Sequence, residues 1–175
     1  MWLDLFLPCR PQRATVDALT KEARRQDASL CYPSHALLDV YQRVRSDNKA
    51  WIRKSRPLTE SDAIAIKHFA WEAVASMREQ ANAVPAVDAD IWLACRFRDE
   101  HDDLEDDLVL AACQRAKANY LVTNDASLLK HAPIEACTPQ RMLELLQTGR
   151  AKGTAVSHEV AGSSDWFYRW LEQYA

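Results

Sequence analysis

The chain has 175 residues, 48% of them apolar and 27% charged, with a formal net charge of −3. That length suits one domain of ordinary size with a short appendage, and the apolar share is enough to fill a core. A pI near 5.9 excludes a globally basic nucleic-acid binder but leaves room for a local basic groove.

Residues 1 to 7 form an apolar opening, and Pro11 then introduces a helix with Val16, Leu19 and Ala23 on one face. Residues 29 to 32 read as a strand stopped by Pro33. Ser34 is placed to cap a helix whose buried stripe is Ala36, Leu37, Val40, Tyr41 and Val44. Asp39 stands at the edge of that stripe, either as a semi-buried carboxylate or as a solvated helix acid near Arg43. Residues 46 to 56 are polar and basic, with Lys49, Arg53, Lys54 and Arg56 set around Trp51. Basic side chains interleaved with an aromatic suit a phosphate backbone and a stacked base, so Arg53, Lys54 and Arg56 are the expected RNA contacts; the competing reading is a solvated loop.

Thr59 and Ser61 begin the longest helix, carrying Ile64, Phe69, Trp71, Ala75 and Met77, and Pro85 closes it. Residues 86 and 87 end a short strand. Asp88 is placed to cap the next helix, in which Ile91, Trp92 and Cys95 are expected to face inward and Asp90 to be only a first-turn acid.

The stretch from 103 to 125 then delivers carboxylates to one place from two elements. Seven of the nine residues from 99 to 107 are acidic and crowd the amino end of a helix that runs through Leu108, Ala111 and Ala112. A short β-rich run comes next at residues 120 to 123, closed by the turn pair Asn124-Asp125. Helix then strand is half of a βαβ unit, so a parallel sheet is expected. The crossover helix starts at the sheet's carboxyl edge and the next strand returns there, which should make Asp106 and Asp125 neighbours at the edge where ligands bind.

Two ionised carboxylates about 4 Å apart repel by roughly 4 kcal/mol at an effective dielectric near 20, so either one is protonated or a cation lies between them. No histidine or cysteine stands at comparable spacing, and hard oxygen donors favour Mg²⁺ or Mn²⁺ over zinc. Asp106 is the expected principal ligand and Asp103 its support. Glu105 and Asp107 should face solvent, because a helix cannot aim adjacent positions at one ion. The plainer reading of the same run is a solvated face that stabilises the helix dipole.

Residues 134 to 137 suit an edge strand, and Thr138 should cap a helix beginning at Pro139. All three glycines fall at or after Gly149, marking a connector over 148 to 163. Trp166, Phe167, Trp170, Leu171 and Tyr174 give residues 164 to 175 the pattern of a C-terminal amphipathic helix, which must dock on this domain, a second copy or another protein. Five cysteines, odd in number and never C-x-x-C, read as reduced packing residues of a cytoplasmic protein. No apolar run reaches bilayer length, so no membrane association is expected.

Asp103-Leu-Glu-Asp106, then Thr123-Asn-Asp125, then Thr138-Pro139 resemble, in order and spacing, the carboxyl half of a PIN domain, the nuclease fold of VapC-type toxins. The likeness spans most of residues 1 to 147. It implies a three-layer α/β/α fold with a short parallel sheet, and it puts an acidic residue, here Asp39, in the second helix. The implied activity is Mg²⁺- or Mn²⁺-dependent endoribonuclease chemistry, with Asp39, Asp106 and Asp125 holding the ion; the implied partners are RNA, an antitoxin protein and a second copy.

The opening departs from that pattern. The family's first strand ends in Asp-x-Asn, whereas residues 3 to 11 resemble the segment just after that motif. On this register Asp4 is a helix acid and the sheet lacks its middle strand; on the rival register residues 1 to 4 are the strand and Asp4 the ligand. The alternative function is therefore a catalytically impaired PIN-like module that binds RNA or protein.

Overall fold

The computed structural model describes residues 1–7, 10–101 and 103–152, apart from the side chains of 99–101. The expected connector beyond residue 152 and the amphipathic helix at 164 to 175 lie outside the described residues.

The described chain is a helix-rich α/β structure. In order it runs α1 (Trp2–Phe6), α2 (Arg13–Arg25), β1 (Cys31–Pro33), α3 (Ala36–Arg53), α4 (Glu60–Gln80), β2 (Asn82–Val84), α5 (Asp88–His101), α6 (Leu104–Arg115), β3 (Leu121–Val122), α7 (Ala126–His131), β4 (Ala136–Cys137) and α8 (Pro139–Gln147). Several starts are set by local chemistry. The Thr59 hydroxyl accepts from the Asp62 amide while the Asp62 carboxylate accepts from the Thr59 amide, a reciprocal cap. Thr138 caps α8 with Pro139 in its first turn, as the sequence indicates, and Asp103 caps α6.

Both strand pairs are parallel. Cys31, Tyr32 and Pro33 face Asn82, Ala83 and Val84, and Leu121 and Val122 face Ala136 and Cys137. Side chains alternate across the second pair: Leu121 packs with Leu110 and Leu128, while Val122 and Cys137 pack with Leu19 and Ala23 of α2 and Leu143 and Leu146 of α8. A third cluster joins Phe6 and Leu7 to Tyr32, Val40, Val44, Ala73 and Met77.

Among the described residues, however, the strands form two separate two-stranded sheets. A cavity of about 360 Å³ lies between them, walled by Cys31–Pro33 on one side and by Leu121 and Val122 on the other. The outer edge of β1 is taken by β2 and that of β3 by β4, so the edges facing the cavity are the open ones. Leu19, Ala23, Met142 and Leu146 line one flank, and Val109, Ala112 and Cys113 of α6 belong to the same lining.

Several sequence expectations need correction. β1 covers 31 to 33 rather than 29 to 32. Ser34 does not cap α3; its hydroxyl accepts from the Ala86 amide and ties the end of β1 to the loop after β2. On α5 the inward positions are Asp90, Ala94 and Phe97, at helical spacing. That phase turns Ile91 and Trp92 outward, at 50% and 60% exposure, and leaves Cys95 exposed, contrary to the inward stripe expected of them. Asp107 is only 2% exposed rather than solvent-facing, because it lies one turn before the buried Leu110 and Ala111. Glu105 is exposed as expected.

Candidate functional site

The chain reaches the carboxyl end of β3 with Thr123-Asn124-Asp125, and each residue has a definite task. The Thr123 hydroxyl accepts from the Asp125 amide at 3.0 Å. The Asp125 Oδ1 accepts from the Ser127 and Leu128 amides at 2.8 and 3.0 Å and so caps α7. The Asn124 Nδ2 donates to Asp4 Oδ2 at 2.9 Å, joining residues 120 positions apart. Asp4 is buried on α1, with the Met1 ammonium 3.5 Å from the same oxygen. It is thus a helix acid, as the preferred register has it, and it also lies against the turn after β3.

Asp103 and Asp106 enter from α6. Asp103 Oδ1 accepts from the Glu105 and Asp106 amides at 3.0 and 3.3 Å, so its first role is to cap the helix. Asp106 is half-buried and lines the cavity between the sheets together with Thr123, Pro33, Ala36 and Met1. Pro33, Thr123, Ala36 and Asp106 mark the carboxyl ends of β1 and β3 and the first turns of α3 and α6, the edge where the βαβ geometry puts a ligand. Asp39, in the first turn of α3, is half-buried and its Oδ1 accepts from Arg43 Nε at 3.2 Å. Both features weighed for it in the sequence hold at once.

The donors are all carboxylate oxygens, the chemistry that Mg²⁺ and Mn²⁺ take. Among the described residues, though, no three Asp, Glu, His or Cys side chains stand together as a metal-holding group.

The basic residues divide. Arg56 is committed: its two terminal nitrogens meet both carboxylate oxygens of Asp62 at 2.5 and 2.7 Å, which holds the Asp62 carboxyl well below the usual range. Arg53 and Lys54 are exposed at the end of α3. Trp51 is exposed too; it lies about 200° of helical rotation from Arg53 but shares a face with Lys54, three residues on.

No protein-family model, curated protein or solved structure matches this chain.

Three features lie beyond what the sequence signals. Asp4 reads there only as a helix acid, and a partner 120 positions away leaves no local trace. Asp90 reads as a first-turn acid, yet it is 3% exposed; both its oxygens receive Arg115, at 2.8 and 3.1 Å, and Oδ2 also accepts from the Val87 amide. The same guanidinium donates to the Pro85 carbonyl. The third feature is a tilted aromatic pair, Tyr41 and Trp71, with ring centroids 5.2 Å apart and planes inclined by 54°.

Proposed function

We propose that this chain is a PIN-like, Mg²⁺- or Mn²⁺-dependent endoribonuclease of the VapC toxin type, with Asp106 and Asp125 as the principal ligands and Asp39 and Asp103 in support. The observation that carries the reading is the common edge: Asp106 from α6 and Thr123 from the end of β3 line one cavity, and Asn124 and Asp125 continue directly from it. Motif order along the chain supports it as well, running from the acidic helix start to Thr-Asn-Asp to Thr-Pro. The bound ion would supply hydroxide from water for in-line attack on an RNA phosphodiester and stabilise the developing charge. A PIN-like layered sheet, RNA as substrate, an antitoxin protein and a second copy as partners all belong to this proposal.

The second reading, a catalytically impaired module of the same kind that binds RNA or protein, is favoured by one observation. Two open strand edges face each other across the cavity, where the resemblance implies a middle strand carrying a further aspartate.

Thermal melting with and without Mg²⁺ or Mn²⁺ tests the first reading. Ions that bind only the folded chain raise the melting temperature, and Asp106→Asn and Asp125→Asn should each shrink that rise. A metal response unchanged in both variants would remove the proposed site. A metal response without cleavage of single-stranded RNA would favour the second reading.

A further inference from the structure

One face of α3 carries a repeated charge that the fold does not use. Arg45, Lys49 and Arg53 recur every four residues, about 6 Å apart along the axis, with Gln42 and Ser46 beside them. Together these five residues line an open concavity of about 320 Å³. Like charges at this spacing repel, by a few tenths of a kcal/mol per pair. The acids nearest in sequence do not relieve the repulsion, since Asp39 pairs with Arg43 and Asp47 with Arg10. No ion pair within the described residues involves Arg45, Lys49 or Arg53.

Arg45 is also held in place. Its guanidinium carbon lies 5.2 Å from the centroid of the Tyr41 ring, and Tyr41 in turn packs on Trp71 of α4. Its Nε is buried yet has no hydrogen-bond partner. A buried donor without a partner costs stability. Trp71 leaves 57% of its surface to solvent beside this pair.

We infer that this face binds the phosphate backbone of single-stranded nucleic acid, with Arg45, Lys49 and Arg53 on successive phosphates and the exposed face of Trp71 stacking a base. The inference rests on the RNA reading above and deepens it. It also replaces the contact set read from the sequence: Arg56 is held by Asp62, and the aromatic partner is Trp71 rather than Trp51. A single strand offers phosphates in series and unpaired base faces, which a basic row beside an aromatic platform can grip without reading sequence. An acidic peptide has the charge but no bases to stack.

The test is the anisotropy of a fluorescein-labelled oligouridylate in EDTA, titrated over a range of salt, so that binding is read without cleavage. The variant Arg45→Gln/Lys49→Gln/Arg53→Gln should flatten the plot of log affinity against log salt by about 2, three phosphates at roughly 0.7 each. Trp71→Ala should weaken binding roughly tenfold, and Trp71→Phe should restore most of the loss. The exposed Arg24→Gln on α2 should change neither. The relieved repulsion and the lost Arg45–Tyr41 contact act in opposite directions, so the triple variant should melt close to the parent; should it fail to fold, each single variant must lower the slope by about 0.7. An unchanged slope overturns the inference, and so does displacement by polyglutamate as effective as by oligouridylate at equal charge. Full-slope binding with no cleavage in Mg²⁺ would refute the nuclease reading and leave this binding face standing.

Discussion

Asn124 Nδ2 donates to Asp4 Oδ2 at 2.9 Å, which fastens the first helix to the turn after β3. Asp4 is buried, so losing the amide leaves a carboxylate with only the Met1 ammonium near it. Asp4→Ala and Asn124→Ala should each cost about 1–2 kcal/mol in urea unfolding. A double-mutant cycle should show a coupling of about 1 kcal/mol, because the second substitution removes a bond already lost. Strictly additive losses would show that the two residues act separately.

Asp90 and Arg115 clamp α5 to α6 in the same way. Hydrogen bonding from Arg115, and then from the Val87 amide, holds the Asp90 carboxyl below its ordinary value near 3.8 despite the cost of its burial. A depressed folded-state pKa stabilises above the unfolded value, and that contribution is lost as pH falls through the folded one. Asp90→Asn should therefore cost about 2 kcal/mol at pH 7 and flatten the acid limb of the stability curve below about pH 4. An acid limb identical to the parent's would assign that limb to other carboxylates.

Cys113 lies in the wall of the cavity, where burial, aided by the nearby Cys31, pushes its thiol up to about 11. The thiolate is the reactive form. At pH 8 iodoacetamide should label the exposed Cys31 and Cys95 while Cys113 stays unmodified, as mass spectrometry of the digested protein would reveal. Rapid labelling of Cys113 near neutral pH would mean that the cavity opens readily to solvent.

The cavity itself makes a larger prediction. Strands pair only at the usual spacing of about 4.8 Å, and β1 and β3 are not paired. A variant with an apolar strand ending in Asp-x-Asn fused ahead of Met1 should, on the proposed function, melt higher, bind less hydrophobic dye and hold Mg²⁺ more tightly through the added carboxylate. An unaltered melting temperature would count against the cavity as a strand site. Strong Mg²⁺-dependent cleavage by the 175-residue chain alone would instead make Asp4 the ligand.

Local chemistry was legible without coordinates. Thr138 as a cap, Pro139 at a helix start, the strand at 121 to 122 and the parallel pairing all depend on neighbours a few residues away, and those neighbours stand beside them in the chain. What tertiary structure alone decided concerns partners far along the chain. Arg115 reaches back 25 positions to bury Asp90, and that fixes the phase of α5 and turns Ile91 and Trp92 outward. Asp62 removes Arg56 from the basic surface, while α4 brings Trp71 to Tyr41 beside Arg45. The separation of the sheet into two pairs has the same origin, since hydrophobic pattern sets which faces of a strand are buried but not which edge meets which.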